Sequence, residues 1–168
     1  PQIMMLSGIG PADHLKQHGI DVVLDKPAVG SHLQDHIDYV SAWETESDVP
    51  IGRSLGGTLK MAGAIIEHRR KKTGAMATPY AEGGGFWSVM PDAPCPDIQW
   101  HFVPAVLEDH GREAVNAHGF SLHACVLRPE SRGTVRLGSN DAGAPPMIDP
   151  NFLDDERDIA TLRAGVRL

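Results

Sequence analysis

The stretch from Leu127 to Leu153 (LRPESRGTVRLGSNDAGAPPMIDPNFL) constrains the fold of this chain more than any other. A β-prone run that begins near Phe120 ends where this stretch starts. The tripeptide at 131–133 interrupts the run with a glycine, which can adopt backbone angles that other residues avoid. Residues 134–137 then resume a strand with alternating polar and apolar side chains. The adjacent prolines at 145–146 cannot donate to a sheet ladder, so the chain is expected to leave the sheet there or to follow its edge.

Strand and helix signals alternate along the rest of the chain. Most predicted strands are joined by short connections with few helices between them, which favours antiparallel pairing. The sequence therefore predicts an α+β fold, in which helices cover one face of an antiparallel sheet of about five to six strands. The predicted helices span residues 11–18, 55–72 and 154–168, a further helical turn is expected at 32–36, and the predicted strands span residues 20–24, 37–43, 83–89, 97–103, 120–127 and 134–138.

The helix predicted at 55–72 has the clearest periodicity. Its final turn carries the basic run 68–72, which complements the negative end of the helix dipole, and Gly74 follows as a stop signal. The basic run is therefore interpreted as a solvated helix end rather than a nucleic-acid patch. The apolar positions on one face of this helix are Leu55, Leu59, Ala62, Ile65 and Ile66.

Charge and composition exclude several classes of protein. The formal charge is -7, with 22 acidic and 15 basic residues, which argues against a nucleic-acid partner. No apolar run approaches the roughly 18 residues of a transmembrane segment, and no secretory signal is visible. Cys95 and Cys125 form neither a CxxC pair nor a metal-ligand pattern. A reducing compartment is therefore the default, and we expect a cytoplasmic protein.

Several separated segments resemble one family, the glucose-methanol-choline (GMC) oxidoreductases. SRGTVRL at 131–137, followed by IDPNFL at 148–153, is similar to the C-terminal part of these proteins. PQIMMLSGIGP at 1–11 resembles their second signature, and VGSHLQDH at 29–36 resembles their GVGxNLQDH segment, with departures from its usual Gly and Asn. The segment PDIQWHFVPA at 96–105 favours the choline dehydrogenase-like branch.

This resemblance implies the substrate-binding lobe of an FAD-dependent alcohol dehydrogenase or oxidase. Residues 1–36 would link to the FAD-binding lobe, residues 37–153 would form the substrate-binding sheet, and residues 154–168 would begin a returning helix. The sheet face opposite the helices would form a wall over the flavin. The implied partners are a small-molecule alcohol and the parent's own FAD-binding lobe.

The parts that the family needs for catalysis are not found in this sequence. No GxGxxG motif is present, and the triple glycine at 83–85 lies among strand-like residues and precedes no helix. In the family, the catalytic His follows the region that ends here at Leu168. The chain begins with Pro1 instead of Met, so we expect an excised segment that has no catalytic residue and is inactive by itself.

Glu82 is the first candidate substrate contact. In the segment ATPYAEGGGFW it resembles the position where a choline-oxidising relative places an acid against a quaternary ammonium group. A carboxylate there would pair with a cation, and Tyr80, Phe86 or Trp87 could add ring faces. The alternative is a structural acid at a strand start, bonded to backbone N–H groups.

Two histidines are further candidate substrate contacts. His101 lies on the strand predicted at 97–103 and shares a face with Gln99 and Val103. His110 lies in the loop sequence LEDHGR, which could flank an entrance. The alternatives are a sheet histidine that is satisfied locally and a solvated loop.

The candidate cofactor contacts come from the two family-like segments nearest the start of the chain. They resemble segments that pack against the flavin lobe, and joining the two lobes is the alternative role. The residues concerned are Ser7, Gly8, Gly10, Asp35 and His36.

Two histidine pairs with helical spacing raise the question of a metal site. His14 and His18 are four residues apart, and His32 and His36 repeat that spacing. A zinc site also needs a third ligand, and no HExxH pattern exists. We therefore predict no metal site.

Two alternative functions remain open from the sequence. One is the corresponding lobe of a flavin-binding lyase of the same superfamily, which catalyses no net redox change. The other is a free-standing binding module without a flavin partner.

Overall fold

The computed structural model describes residues 1–47, 52, 54–79, 81, 83–106 and 117–168. The chain divides into two compact units. Unit 1 comprises residues 1–37 and 128–160, and unit 2 comprises residues 38–127 and 161–168. The division therefore places residues 128–153 with the N-terminal segment, whereas the sequence grouped them with the sheet.

Unit 1 contains short elements around a small apolar core. Its helices are α1 (Gln2–Leu6) and α2 (Ala12–Gln17), and the strands β1 (Ile9–Gly10) and β2 (Leu24–Asp25) pair in parallel. Met5, Leu15 and Leu137 are at most 1% exposed and form the centre of the core. Complete burial of such side chains contributes about 1.5–3 kcal/mol each to folding.

A close backbone approach in unit 1 requires glycine at position 30. Gly30 has φ +74°, and a Cβ atom there would lie 2.1 Å from the carbonyl oxygen of Val135. The N–H of Val135 donates to the carbonyl of Gly30 at 2.8 Å. Val135 belongs to β7 (Thr134–Arg136), which pairs antiparallel with β8 (Met147–Asp149).

A buried carboxylate holds the turn that precedes β7. Asp158 is 2% exposed. Its oxygens accept hydrogen bonds from the backbone N–H of Glu130 at 2.8 Å, from the backbone N–H of Ser131 at 2.9 Å and from the Ser131 hydroxyl at 2.5 Å. The helix that carries it, α4 (Glu156–Arg167), begins in unit 1 and ends in unit 2.

Unit 2 is organised around a four-stranded antiparallel sheet. The strands are β3 (Asp38–Glu44), β4 (Gly83–Trp87), β5 (Ile98–Val103) and β6 (Gly119–Val126), in the order β3-β6-β5-β4. The predicted α+β class and antiparallel pairing are confirmed. Four strands form this sheet, while β7 and β8 form a separate hairpin.

The two faces of this sheet differ in chemistry. We call one the helix-side face, because Gly165 of α4 packs on it: a Cβ at Gly165 would lie 2.6 Å from Ile98, and its carbonyl accepts from Trp100 Nε1 at 3.3 Å. Strand alternation places the other large apolar side chains of β5 and β6 on this face. We call the opposite side the polar face, and it carries Asp38, Gln99, His101, Ser121 and His123.

The long helix α3 (Leu55–Lys71) forms where its periodicity predicted it. Ser54 caps its start by accepting from the N–H of Gly57 at 2.9 Å, and Lys72 ends it with a left-handed φ of 58°. None of its residues is buried, and Leu55 remains 82% exposed. The apolar face of α3 is therefore not packed within the described part of the chain.

Local predictions near the chain start needed correction. The helical turn predicted at 32–36 does not form, because His32 has φ +60° and Leu33 forms an antiparallel bridge with Gly133. The strand predicted at 20–24 is reduced to the two residues of β2. No helix in the described ranges is long and apolar enough to cross a membrane.

Candidate functional site

His101 lies on the polar face of the central sheet, as the strand pattern predicted. It sits on β5, half buried, with Gln99 two residues before it and Val103 two residues after it on the same face. On the outer neighbouring strand its cross-strand partner is Gly84, which contributes no side chain. The edge of the sheet beside His101 is therefore formed by backbone alone at that position.

A second histidine and a carboxylate adjoin His101. His123 of β6 is directly opposite His101, and their ring centroids lie 6.2 Å apart with an interplanar angle of 86°. Nδ1 of His123 lies 2.6 Å from Oδ2 of Asp38 on β3. The sequence placed both residues on strands, but it gave no register between strands about 80 residues apart. The contact was therefore missed.

The imidazole of this pair is more shielded from solvent than the carboxylate. The side chain of His123 is 17% exposed and that of Asp38 is 33% exposed. Nε2 of His123 is buried and has no hydrogen-bond partner among the residues that the structure describes. A carboxylate bonded to one imidazole nitrogen fixes which ring nitrogen carries the proton, so this pair can orient and polarise a neighbouring polar group.

Two predicted substrate contacts lie outside the described residues. They are Glu82 and His110. Two of the aromatic residues predicted to lie near Glu82 are among the described residues. These are Phe86 and Trp87 of β4, which are 58% and 57% exposed. By alternation, Phe86 lies on the polar face and Trp87 on the helix-side face.

The predicted cofactor contacts near the chain start have structural roles in unit 1. The hydroxyl of Ser7 donates to the carbonyl of Ile3 at 2.8 Å. Gly8 has φ +81°, and a Cβ there would lie 2.5 Å from the carbonyl of Asp21. A Cβ at Gly10 would lie 2.9 Å from the side chain of Met5. The chain's own atoms therefore fill the space around both glycines.

Asp35 and His36 are the other two predicted cofactor contacts, and their side chains lie at the surface. Both residues are exposed and lie between the bridge at Leu33 and the start of β3. Oδ1 of Asp35 accepts from the backbone N–H of His36 at 2.9 Å. This local bond orients the carboxylate, so the pair offers polar groups that a cofactor or another lobe could contact.

The helix-side face contains an apolar cavity of about 330 Å³. Tyr39, Trp43, Trp100 and Leu122 line it from the sheet, and Val166 lines it from α4. Apolar and aromatic walls of this kind suit burial of hydrocarbon rather than proton transfer. The chemistry-bearing side chains of unit 2 are thus concentrated on the opposite face.

The histidine pairs considered for a metal are used in other ways. His14 and His18 pack edge to face with centroids 4.8 Å apart, and Nε2 of His14 accepts from the N–H of Leu137 at 3.0 Å. Burial, followed by the charges of His18 and Arg136, lowers the pKa of His14. Among the described residues, no group of three or more His, Cys, Asp or Glu side chains could hold a metal ion.

Comparison with known sequences identifies the relatives of this chain. Residues 129–168 match the family model described as GMC oxidoreductase. Over all 168 residues, the chain is 40% identical to an alcohol dehydrogenase (acceptor) from Pseudomonas putida. It is 39% identical to an oxygen-dependent choline dehydrogenase from Brucella ovis and to the mitochondrial choline dehydrogenase of Homo sapiens. The chain spans 30%, 30% and 28% of these relatives, respectively.

Solved structures agree on the fold. A formate oxidase superposes with a TM-score of 0.85 at 24% identity, covering 99% of this chain and 34% of that one. A fungal aryl-alcohol oxidase superposes with a TM-score of 0.71 at 22% identity, covering 99% of this chain and 35% of that one. The predicted architecture, an antiparallel sheet with helices, is therefore also the fold of the matching segments of these two oxidases.

Proposed function

We propose that the chain, which matches the GMC oxidoreductase family model at residues 129–168 and is similar over its whole length to alcohol and choline dehydrogenases, forms the substrate-binding lobe of a longer FAD-dependent alcohol dehydrogenase or oxidase of that family. The observation that supports this role is the segregation of side chains in the central sheet. One face packs on α4 and carries apolar groups, whereas the other presents a cluster of polar and titratable groups. A pocket wall needs such a face, because a few placed polar groups orient a small ligand.

FAD would be held mainly by residues outside this chain. The space around Gly8 and Gly10 is filled by the fold itself, which does not suit a phosphate cradle at those positions. We propose that Ser7, Gly8 and Gly10 shape a turn next to the cofactor lobe. Asp35 and His36 have exposed side chains and would supply the polar contacts to that lobe or its cofactor. When bound, FAD supplies the acceptor for hydride from the carbinol carbon.

In this proposal the chain binds and orients the alcohol, and the base lies elsewhere in the protein. His101 faces the substrate from the polar face, and Glu82 and His110 contact it from neighbouring segments. Glu82 would pair with a positively charged substrate such as a choline-like alcohol. Binding groups of this kind contribute to catalysis by holding the reacting carbon in register with its acceptor.

Anaerobic reduction of flavin by alcohols tests this function. The full-length protein that carries this chain should purify with bound FAD, and its oxidised flavin absorbance should disappear on addition of a primary alcohol. A protein without FAD would instead support a free-standing binding module. Bound FAD that no alcohol in a broad panel reduces would contradict an alcohol dehydrogenase and support a non-redox lyase.

A further inference from the structure

Three side chains form a row across the polar face, one from each of three neighbouring strands. Asp38 lies on β3, His123 on β6 and His101 on β5. His123 contacts the other two, with its Nδ1 2.6 Å from the Asp38 carboxylate and its ring edge to face with His101. The row therefore connects a carboxylate to the candidate substrate contact through a second imidazole.

The hydrogen bond to Asp38 determines where His123 carries its proton. An ionised carboxylate can only accept hydrogen bonds, so Nδ1 of His123 must be the donor. In the neutral ring, Nε2 is then the unprotonated nitrogen, with a lone pair available to a donor. Within the described ranges the buried Nε2 has no partner, so the bond to Asp38 is the hydrogen bond that orients this ring.

The ring of His101 lies edge to face with the ring of His123. We propose that Asp38 and His123 are positioning residues that fix the orientation of the His101 ring towards an alcohol substrate. This inference rests on the proposed function, because it assigns His101 to the substrate. The Asp38 carboxylate prevents rotation of the His123 ring. The perpendicular His123 ring then limits the rotation of His101.

The other titratable groups on this face are placed differently. Cys125 is opposite Asp38 in the β3–β6 register, is 5% exposed, and its Sγ donates weakly to the carbonyl of Val126 at 3.8 Å. Glu44 lies at the far end of β3, opposite Gly119. His123 thus has its carboxylate contact with Asp38, while His101 is opposite Gly84 of β4, a residue without a side chain.

A double-mutant cycle in the full-length, flavin-loaded protein tests this role. His123→Phe keeps a ring at that position but removes both nitrogens, and Asp38→Asn removes the charge with little change in shape. Each is expected to lower kcat/KM for a primary alcohol on the order of tenfold, less than the roughly 100-fold that a 1 Å misplacement can cost. In a His101→Ala background, each should change kcat/KM by less than about twofold, because the residue they orient is gone.

The matched control is His118→Phe. His118 belongs to the same unit, and its Nε2 lies 2.8 Å from the hydroxyl of Ser54, so it is also a bonded histidine. The control should leave kcat/KM unchanged. An equal loss from His123→Phe with and without His101 would overturn the proposal, and so would no loss in the His101-bearing enzyme. If His123→Phe does not fold, Asp38→Asn decides the outcome by the same comparison.

A measurement that does not require turnover separates this proposal from the proposed function. Nitrogen NMR of labelled histidine rings reports which ring nitrogen carries the proton. Asp38→Asn should shift the ring signals of His101 and leave those of His118 in place. If the wild-type flavin is not reduced by alcohols, the proposed function fails and this measurement still decides the positioning role. Unchanged His101 signals would contradict the positioning role of Asp38 and His123.

Discussion

Replacing Asp158 by Asn should destabilise unit 1 strongly. The carboxylate is 2% exposed and accepts three hydrogen bonds, two from backbone N–H groups of Glu130 and Ser131 and one from the Ser131 hydroxyl. Hydrogen bonds to a charged group contribute about 1.5–3 kcal/mol each. Asparagine keeps one acceptor oxygen but turns an NH₂ group towards N–H donors. We expect the free energy of unfolding to fall by about 2–4 kcal/mol.

The pH dependence of this effect follows from the pKa of Asp158. Burial raises the pKa, but the hydrogen bonds from Ser131 and Glu130 and the charge of Arg132 outweigh it, so the pKa lies below its ordinary value. A lowered carboxylate pKa stabilises the fold above the unfolded value of about 3.9. That contribution is lost as the pH falls through the lower folded value. The difference between wild type and D158N should therefore shrink in acid.

Two assays on the full-length protein would measure this. Urea unfolding gives the change in free energy, and amide hydrogen exchange of the peptide 129–133 reports local opening of the turn. Asp154→Asn is the matched control, because it removes an exposed acid just before the same helix. A change below about 0.5 kcal/mol in D158N, or equal changes in the two variants, would refute the reasoning.

Three further predictions address other parts of the chain. His14 has a lowered pKa and accepts a backbone N–H at Nε2, so its contribution is intact above about pH 6.5 and is lost as the pH falls. His14→Gln should flatten the slope of unfolding free energy between about pH 7 and 5, whereas exposed His36→Gln should not. Gly30→Ala should lower the free energy of unfolding by about 3 kcal/mol or more, because the added Cβ would clash with a backbone carbonyl. Gly19→Ala is the control, because Gly19 has φ +67° but open space around it, and it should cost about 1–2 kcal/mol. Urea titration measures both changes. Glu82→Gln in the full-length enzyme should raise the KM for cationic alcohols about tenfold or more and leave the KM for neutral alcohols of equal size almost unchanged. An equal rise in KM for both kinds of alcohol would contradict the proposed ion pair.

Much of the fold could be predicted from local sequence patterns. β3, β5 and β6 formed within one residue of the predicted bounds, because β-branched and aromatic residues are enriched in strands. β8 was missed, because the prolines at 145–146 were interpreted as an exit from the sheet. In fact the chain pairs immediately after them. The five residues of α1 are too few for helical periodicity to be recognised.

Only part of the candidate site could be predicted from the sequence. The face of His101 follows from counting residues along one strand, so it was predicted correctly. The contact between Asp38 and His123 depends on the register of β3 against β6, which long-range packing decides. The buried role of Asp158 was missed for the same reason: its partners lie 27 and 28 residues away, and the sequence indicated only a helix start.

The glycines of β4 bear on whether strands of other molecules can pair with this sheet. In the described part of the chain, β4 is an edge strand of the central sheet that pairs with β5 alone, and unpaired strand edges can recruit strands from other molecules. Gly83, Gly84 and Gly85 have no side chains against which an incoming strand could pack, and glycine weakens strand pairing. A Cβ at Gly84 would meet the carbonyl of Trp100 at 2.5 Å. Substitution there to a β-branched residue would both loosen this strand and make it a better template for aggregation, so solubility constrains these positions independently of catalysis.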